Sequence, residues 1–166
     1  MMQEKAVEPR DDIARPIARL RERAFDPERA TDFTSRHGMR RVANPPVTLR
    51  HIASGQDALG VTFSPLLVAL YTQVGNGGFG PAHGLLSLDE MVESGVRSYM
   101  PDGSDRLVRV CDWGCAIVSC LDFSRPNLPV VRTYMDIEDE APSLHSWLED
   151  WLNDRSFDER FYSFSH

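Results

Sequence analysis

Three cysteines, Cys111, Cys115 and Cys120, fall within ten positions of one another, close enough to raise the question of a metal site or a nucleophile. Zinc needs convergent ligands, usually a C-x-x-C pair with further Cys or His nearby. These spacings supply no such pair, and no histidine lies between Cys111 and Cys120. On a continuous strand Cys111 and Cys115 share one face while Cys120 points to the other. The favoured reading is three reduced thiols buried in β-strands as small apolar side chains. His37, His51, His83, His145 and His166 show neither H-x-x-x-H nor H-E-x-x-H spacing, and no G-x-S-x-G elbow is present. The one nucleophilic constellation the chain offers is Cys115 with His83 and a nearby carboxylate, and burial of Cys115 away from His83 would discount it. No catalytic, cofactor-binding or metal-binding residue is assigned.

Two further patterns invite chemistry. Gly75, Gly77 and Gly80 satisfy G-x-G-x-x-G, but the dinucleotide fingerprint requires a strand before it and a helix after it to hold the pyrophosphate. Here a helical pattern precedes the glycines and Pro81 follows, so a chain reversal is expected instead. The run Asp136, Ile137, Glu138, Asp139, Glu140 is acidic but lacks the D-x-D-x-D-G order of a calcium loop. It reads as a solvated acidic loop or a partner-facing patch. Asp112 and Asp122 read as turn formers.

The elements that position these residues can be traced along the chain. Ile13, Ile17, Leu20 and Ala24 recur on one helical face, with Arg15, Arg19 and Arg23 on another that is expected to be solvated, and Pro16 is placed in the first turn. Asp26, Pro27 and Glu28 resemble the start of a short helix. Asn44, Pro45 and Pro46 mark a break between an extension, residues 1–45, and a core domain, residues 46–166. Leu49, Ile52 and Ala53 are expected to line a short helix ending between Gly55 and Gly60. Ser64 and Pro65 cap a helix carrying Leu66, Leu67, Leu70 and Val74, which Gly75 ends in the left-handed conformation. Ser87, Leu88, Asp89 and Glu90 form a capping-box pattern for the next helix.

From Arg106 onward the periodicity turns to β. Runs at residues 107–111, 116–121 and 128–134 are separated by connections too short for a parallel crossover, which predicts an antiparallel meander, with a further strand near Gly84. Ser143 then caps a helix with Leu144, Trp147, Leu148, Trp151 and Leu152 on one face, the tryptophans facing the sheet. The predicted class is α+β.

Composition bounds the function. The 166 residues suffice for one self-supporting core, and the formal net charge is −7. Residues 1–50 hold 11 Lys and Arg against 8 Asp and Glu, whereas residues 51–166 hold 7 against 17. An acidic domain repels nucleic-acid phosphates and favours basic partners. No run of some 18 apolar residues predicts a membrane span, and the N-terminal stretch has no apolar signal core. With an odd number of cysteines, this points to a cytoplasmic protein.

A family resemblance rests on several of these motifs together. Pro65, Leu67, Leu70 and Tyr71 make P-x-L-x-x-L-Y, followed by Asn76-Gly77-Gly78, by W-G-C at Trp113, by C-L-D at Cys120, and by W-L-x-x-W-L from Trp147. The pattern, over about residues 47–155, resembles the SUKH superfamily, also called the Smi/Knr family. It departs from that family at Phe63-Ser64-Pro65, where members usually read L-P. The resemblance implies a non-enzymatic binding domain, and for bacterial members an immunity protein that neutralises a toxin. A basic toxin domain such as a nuclease is then the expected partner, with acidic side chains standing in for phosphates. Regulatory or scaffolding roles are the alternative the resemblance also allows. The expected contact residues are Asp136, Glu138, Asp139, Glu140, Glu149 and Asp150, with Asn76, Phe79 and His83 from the glycine-rich turn. Replacing Asp139 and Glu140 with lysine should slow association with such a partner.

Overall fold

The computed structural model describes residues 10–33 and 40–155. Five antiparallel strands form one sheet in the order β1 to β5: Val96–Arg97, Leu107–Gly114, Ile117–Asp122, Val130–Thr133 and Ile137–Ala141. Sequential order follows from short connections, since each strand can pair only with its neighbour in the chain. The β2–β3 connection is a two-residue turn in which Cys115 and Ala116 both take positive φ, 53° and 66°. Left-handed angles at both positions match the right-handed twist of the flanking strands.

One sheet face carries Val108, Val110, Trp113, Ile117, Leu121 and Val130 into the main core. The other carries a smaller buried cluster of Leu107, Val118, Cys120 and Val131. Among the described residues, the core of the first face is the one that includes helix side chains. The helices are α1 (Arg10–Ala24), α2 (Leu49–Leu59), α3 (Pro65–Ala69, continued by a π-helical turn Leu70–Val74), α4 (Leu88–Ser94) and α5 (Leu144–Leu152). The α+β class and antiparallel sheet match the sequence expectation, with short edge strands β1 and β5 added to the three-stranded meander.

The caps are as the residue types require. Ser64 Oγ accepts from Leu67 N, Ser143 Oγ from Ser146 N, and Ser87 and Glu90 form a reciprocal capping box. Helix α2 begins at Thr48 and closes at Gly60, with Ile52, Gly55 and Leu59 buried; Leu49 is exposed instead of lining the core. Tyr71, fully buried, donates to Leu86 O at 2.6 Å and ties the π-helical turn to the start of α4.

Several local expectations are corrected. Pro16 sits inside α1 and not in its first turn. Arg23 is not on a solvated face: it is 5% exposed, stacks 4.3 Å from the Trp151 ring, donates to the carbonyls of Arg29 and Trp151, and pairs with Asp154. The side chain's length lets one guanidinium join α1 to the end of α5, which no helical periodicity reveals. Asp26 forms a turn, accepting from Glu28 N, and no helix starts there. The stretch near Gly84 makes a single bridge, Leu85 to Cys111, and no strand. Both tryptophans of α5 lie in the core cluster that includes the sheet: Trp147 donates to Glu140 of β5, and Trp151 also packs against Phe79, with ring centroids 6.3 Å apart, and against Arg23.

Ile17, Leu20 and Ala24 of α1 belong to the same core cluster as the sheet and the later helices. The segment after it stays attached, with Asn44 N donating to Gly77 O and Val47 N to Tyr71 O. None of the described helices is long and apolar enough to cross a membrane.

Candidate functional site

The glycine-rich segment folds inward. Gly77, Gly78, Phe79, Gly80, Pro81 and Ala82 are all buried, which removes Phe79, at 0% exposure, from any contact surface. The glycines serve close packing. A Cβ on Gly77, at φ 72°, would stand 2.5 Å from Leu85 O, and one on Gly75 would stand 2.6 Å from Asn44 O. Gly75 itself has φ 177°, extended and not left-handed, so close approach and not helix capping demands glycine there. Asn76 is equally committed: its Oδ1 accepts from Leu88 N at 2.8 Å and its carbonyl accepts from Asn44 Nδ2. Backbone N–H groups of this segment are spent inside the fold, with Gly78 N donating to Leu85 O and Gly80 N to Ala30 O.

His83 is half-buried against Phe33, ring centroids 4.5 Å apart. A Cβ added at Gly114 would lie 3.8 Å from its Nε2, so the imidazole stands beside the hairpin tip that carries Cys115. Cys115 is exposed, contrary to the expectation of three buried thiols, because it occupies the turn and not a strand. The burial that would have discounted a Cys115–His83 pair is therefore not found. Among the described residues, however, no carboxylate hydrogen-bonds the His83 ring, so nothing orients it as a base. Cys111 and Cys120 are buried on opposite sheet faces, and burial pushes both thiols up, Cys120 to about 11. Among the described residues no group of three metal-ligating side chains converges.

The acidic residues divide into those that hold the fold and those that face solvent. The run from Ile137 to Ala141 is a strand at the sheet edge, not a loop. Cross-strand pairing of Thr133 with Ile137 and Arg132 with Glu138 overrides the weak β-propensity of its acids. Glu140 is nearly buried and serves the fold: its carboxylate accepts from Arg132 at 2.7 Å, Ser119 at 2.6 Å and Trp147 Nε1 at 3.0 Å. Glu149 is taken by Arg19 at 3.0 Å, and Asp150 pairs loosely with Arg155 at 3.4 Å. Asp139 is exposed but shares Arg125 with the buried Asp122. Hydrogen bonds from Arg125 hold the Asp139 carboxyl below its usual range. Burial opposes ionisation of Asp122, but hydrogen bonds from Ser124 and Arg125 outweigh it and also keep that carboxyl low.

Asp136 and Glu138 remain, exposed and without an ion pair among the described residues. Beside them the structure adds three side chains that the sequence reading did not select: Tyr134, Met135 and Ile137, at 61%, 84% and 37% exposure. Their signal in the sequence is the presence of large apolar residues in and just after the short connection between two strands, Tyr134 and Met135 in the connection and Ile137 at the start of β5. Asp112 and Asp122 do form turns, accepting from Gly114 N and Ser124 N. The candidate site is thus the β5 edge, an acidic and apolar strip. No family model matches the chain, and no curated protein matches it.

Proposed function

We propose that this chain is a non-enzymatic binding protein that sequesters a basic protein partner, and that it acts as an immunity protein against a toxin. The observation that carries the binding role is the strip along β5, where Asp136 and Glu138 are exposed without ion pairs beside exposed Tyr134, Met135 and Ile137. Charge gives such a surface fast, oriented encounter with a basic partner, and the aromatic and methionine side chains give it apolar area to bury. The toxin as partner rests on the resemblance of the W-G-C, C-L-D and W-L-x-x-W-L motifs to SUKH proteins. An acidic strip suits a nuclease, whose active surface is built to receive phosphates.

The test is co-purification with the product of the adjacent gene, followed by growth of cells expressing that product alone or with this chain. Rescue that tracks stoichiometric binding supports immunity. A stable complex with a harmless partner replaces it with a regulatory or scaffolding role, and the absence of any complex with that product refutes the toxin reading.

A further inference from the structure

We infer that β5 is an open docking edge, on which an extended basic segment of the partner pairs as a sixth strand. This rests on the reading of the chain as a protein-binding module and not on the partner being a toxin. The strand order leaves β5 bonded on one side only, to β4. Its other side presents a row of backbone N–H and C=O groups, and among the described residues none from Ile137 to Ala141 has a backbone hydrogen bond outside that ladder. Such an edge is a template for another chain.

The side chains select what pairs there. A second copy is disfavoured, because pairing two β5 strands would set Glu138 and Asp139 near their own counterparts, and like charges opposite one another in a ladder destabilise it. Those charges alone would make the edge purely protective. Tyr134, Met135 and Ile137 contradict that, since an edge built only to repel gains nothing from large exposed apolar groups. Ile137 also lines a groove of about 450 Å³ on the sheet face away from the helices, with Met100, Leu107 and Val131. A strand added at the ladder spacing of about 4.8 Å would set alternate side chains over the rim of this groove and the others beside Glu138. The matching segment alternates apolar residues with Lys or Arg.

The experiment is selection of a displayed library of random linear twelve-residue peptides on the intact chain, followed by hydrogen exchange with the enriched peptide bound. Alternating basic and apolar sequences that slow amide exchange within residues 136–141 are expected. Replacing Asp136 and Glu138 together by lysine should weaken that peptide at least about tenfold and flatten its salt dependence. Proline at Ile137 and at Glu138, tested one at a time, separates fold from docking. Successive N–H groups point to opposite sides, so one variant loses a bond to β4, while the other keeps the fold by circular dichroism yet loses peptide binding. The inference is overturned by three results: no enrichment, protection elsewhere on the chain, or a dimer of the chain alone that proline on β5 dissolves.

Discussion

Glu140 separates a structural acid from a solvent-facing one, and its replacement can be sized from its contacts. Its side chain is 9% exposed and that of Arg132 is 11% exposed, so the pair is nearly out of water. Glu140→Ala removes an acceptor from Arg132, from Trp147 Nε1 and from Ser119, which itself accepts from Trp113 Nε1 at 2.8 Å. The Arg132 guanidinium would keep its stacking 4.7 Å from the Trp113 ring. Removing one partner of a nearly buried ion pair costs about 3–5 kcal/mol. The orphaned Trp147 and Ser119 donors would add about 1–3 kcal/mol each if they stayed dry. The pair term, the largest of these, sets the scale. With an urea m-value of about 2 kcal/mol/M, the unfolding midpoint should fall by about 1.5–2.5 M. Glu138→Ala, two positions away on the same strand, should stay within about 0.5 kcal/mol, a shift of at most about 0.25 M. Equilibrium urea unfolding followed by tryptophan fluorescence measures both. A double cycle with Arg132→Met should return a coupling of about 0.5–3 kcal/mol. Equal midpoint shifts for Glu140→Ala and Glu138→Ala would refute a structural role peculiar to Glu140. The same geometry corrects the charge-reversal experiment: Glu140→Lys would place two cations together in a buried site, so the probe of association must be Asp136 and Glu138.

Acid should expose the Asp122–Arg125–Asp139 network. Both carboxyls lie below their ordinary values in the folded chain, so their contribution is complete above the unfolded value of about 3.9 and is lost as pH falls through the lower folded values. The urea midpoint should therefore fall below about pH 4, and Arg125→Met should flatten that limb; identical limbs would exclude the network as its cause. Thiol titration of the native chain with an aromatic disulfide should react one cysteine, Cys115, with Cys111 and Cys120 following only on unfolding. Fast reaction of two or more would contradict their burial.

What the sequence made legible was local, and what it hid was long-range. Caps are decided within four residues, so Ser64, Ser87 and Ser143 could be placed from residue type alone. The short connections between apolar runs likewise dictated an antiparallel sheet. Neither route reaches Arg23, whose solvent-like pattern on α1 is overruled by Trp151, 128 positions away. Composition failed in the same way for β5. Four acids around one apolar residue look like a loop until β4 supplies the ladder, and only then does the structure separate Glu140, nearly buried beside Trp147, from exposed Glu138. The glycine-rich segment shows the converse error. Glycine density read as an exposed turn, yet glycines are also what permits backbone to approach within less than a side chain's width, and Phe79 is carried into the core by that approach. Charge count therefore overstates the acidic surface. Of the six acids first selected, four are engaged by arginine and one of these is nearly buried, so on the proposed docking edge partner selectivity would come from few charges set among apolar groups and an open backbone edge. Such a surface reads an extended segment better than a folded charged face, since two free carboxylates give direction to the encounter but too little contact to hold it.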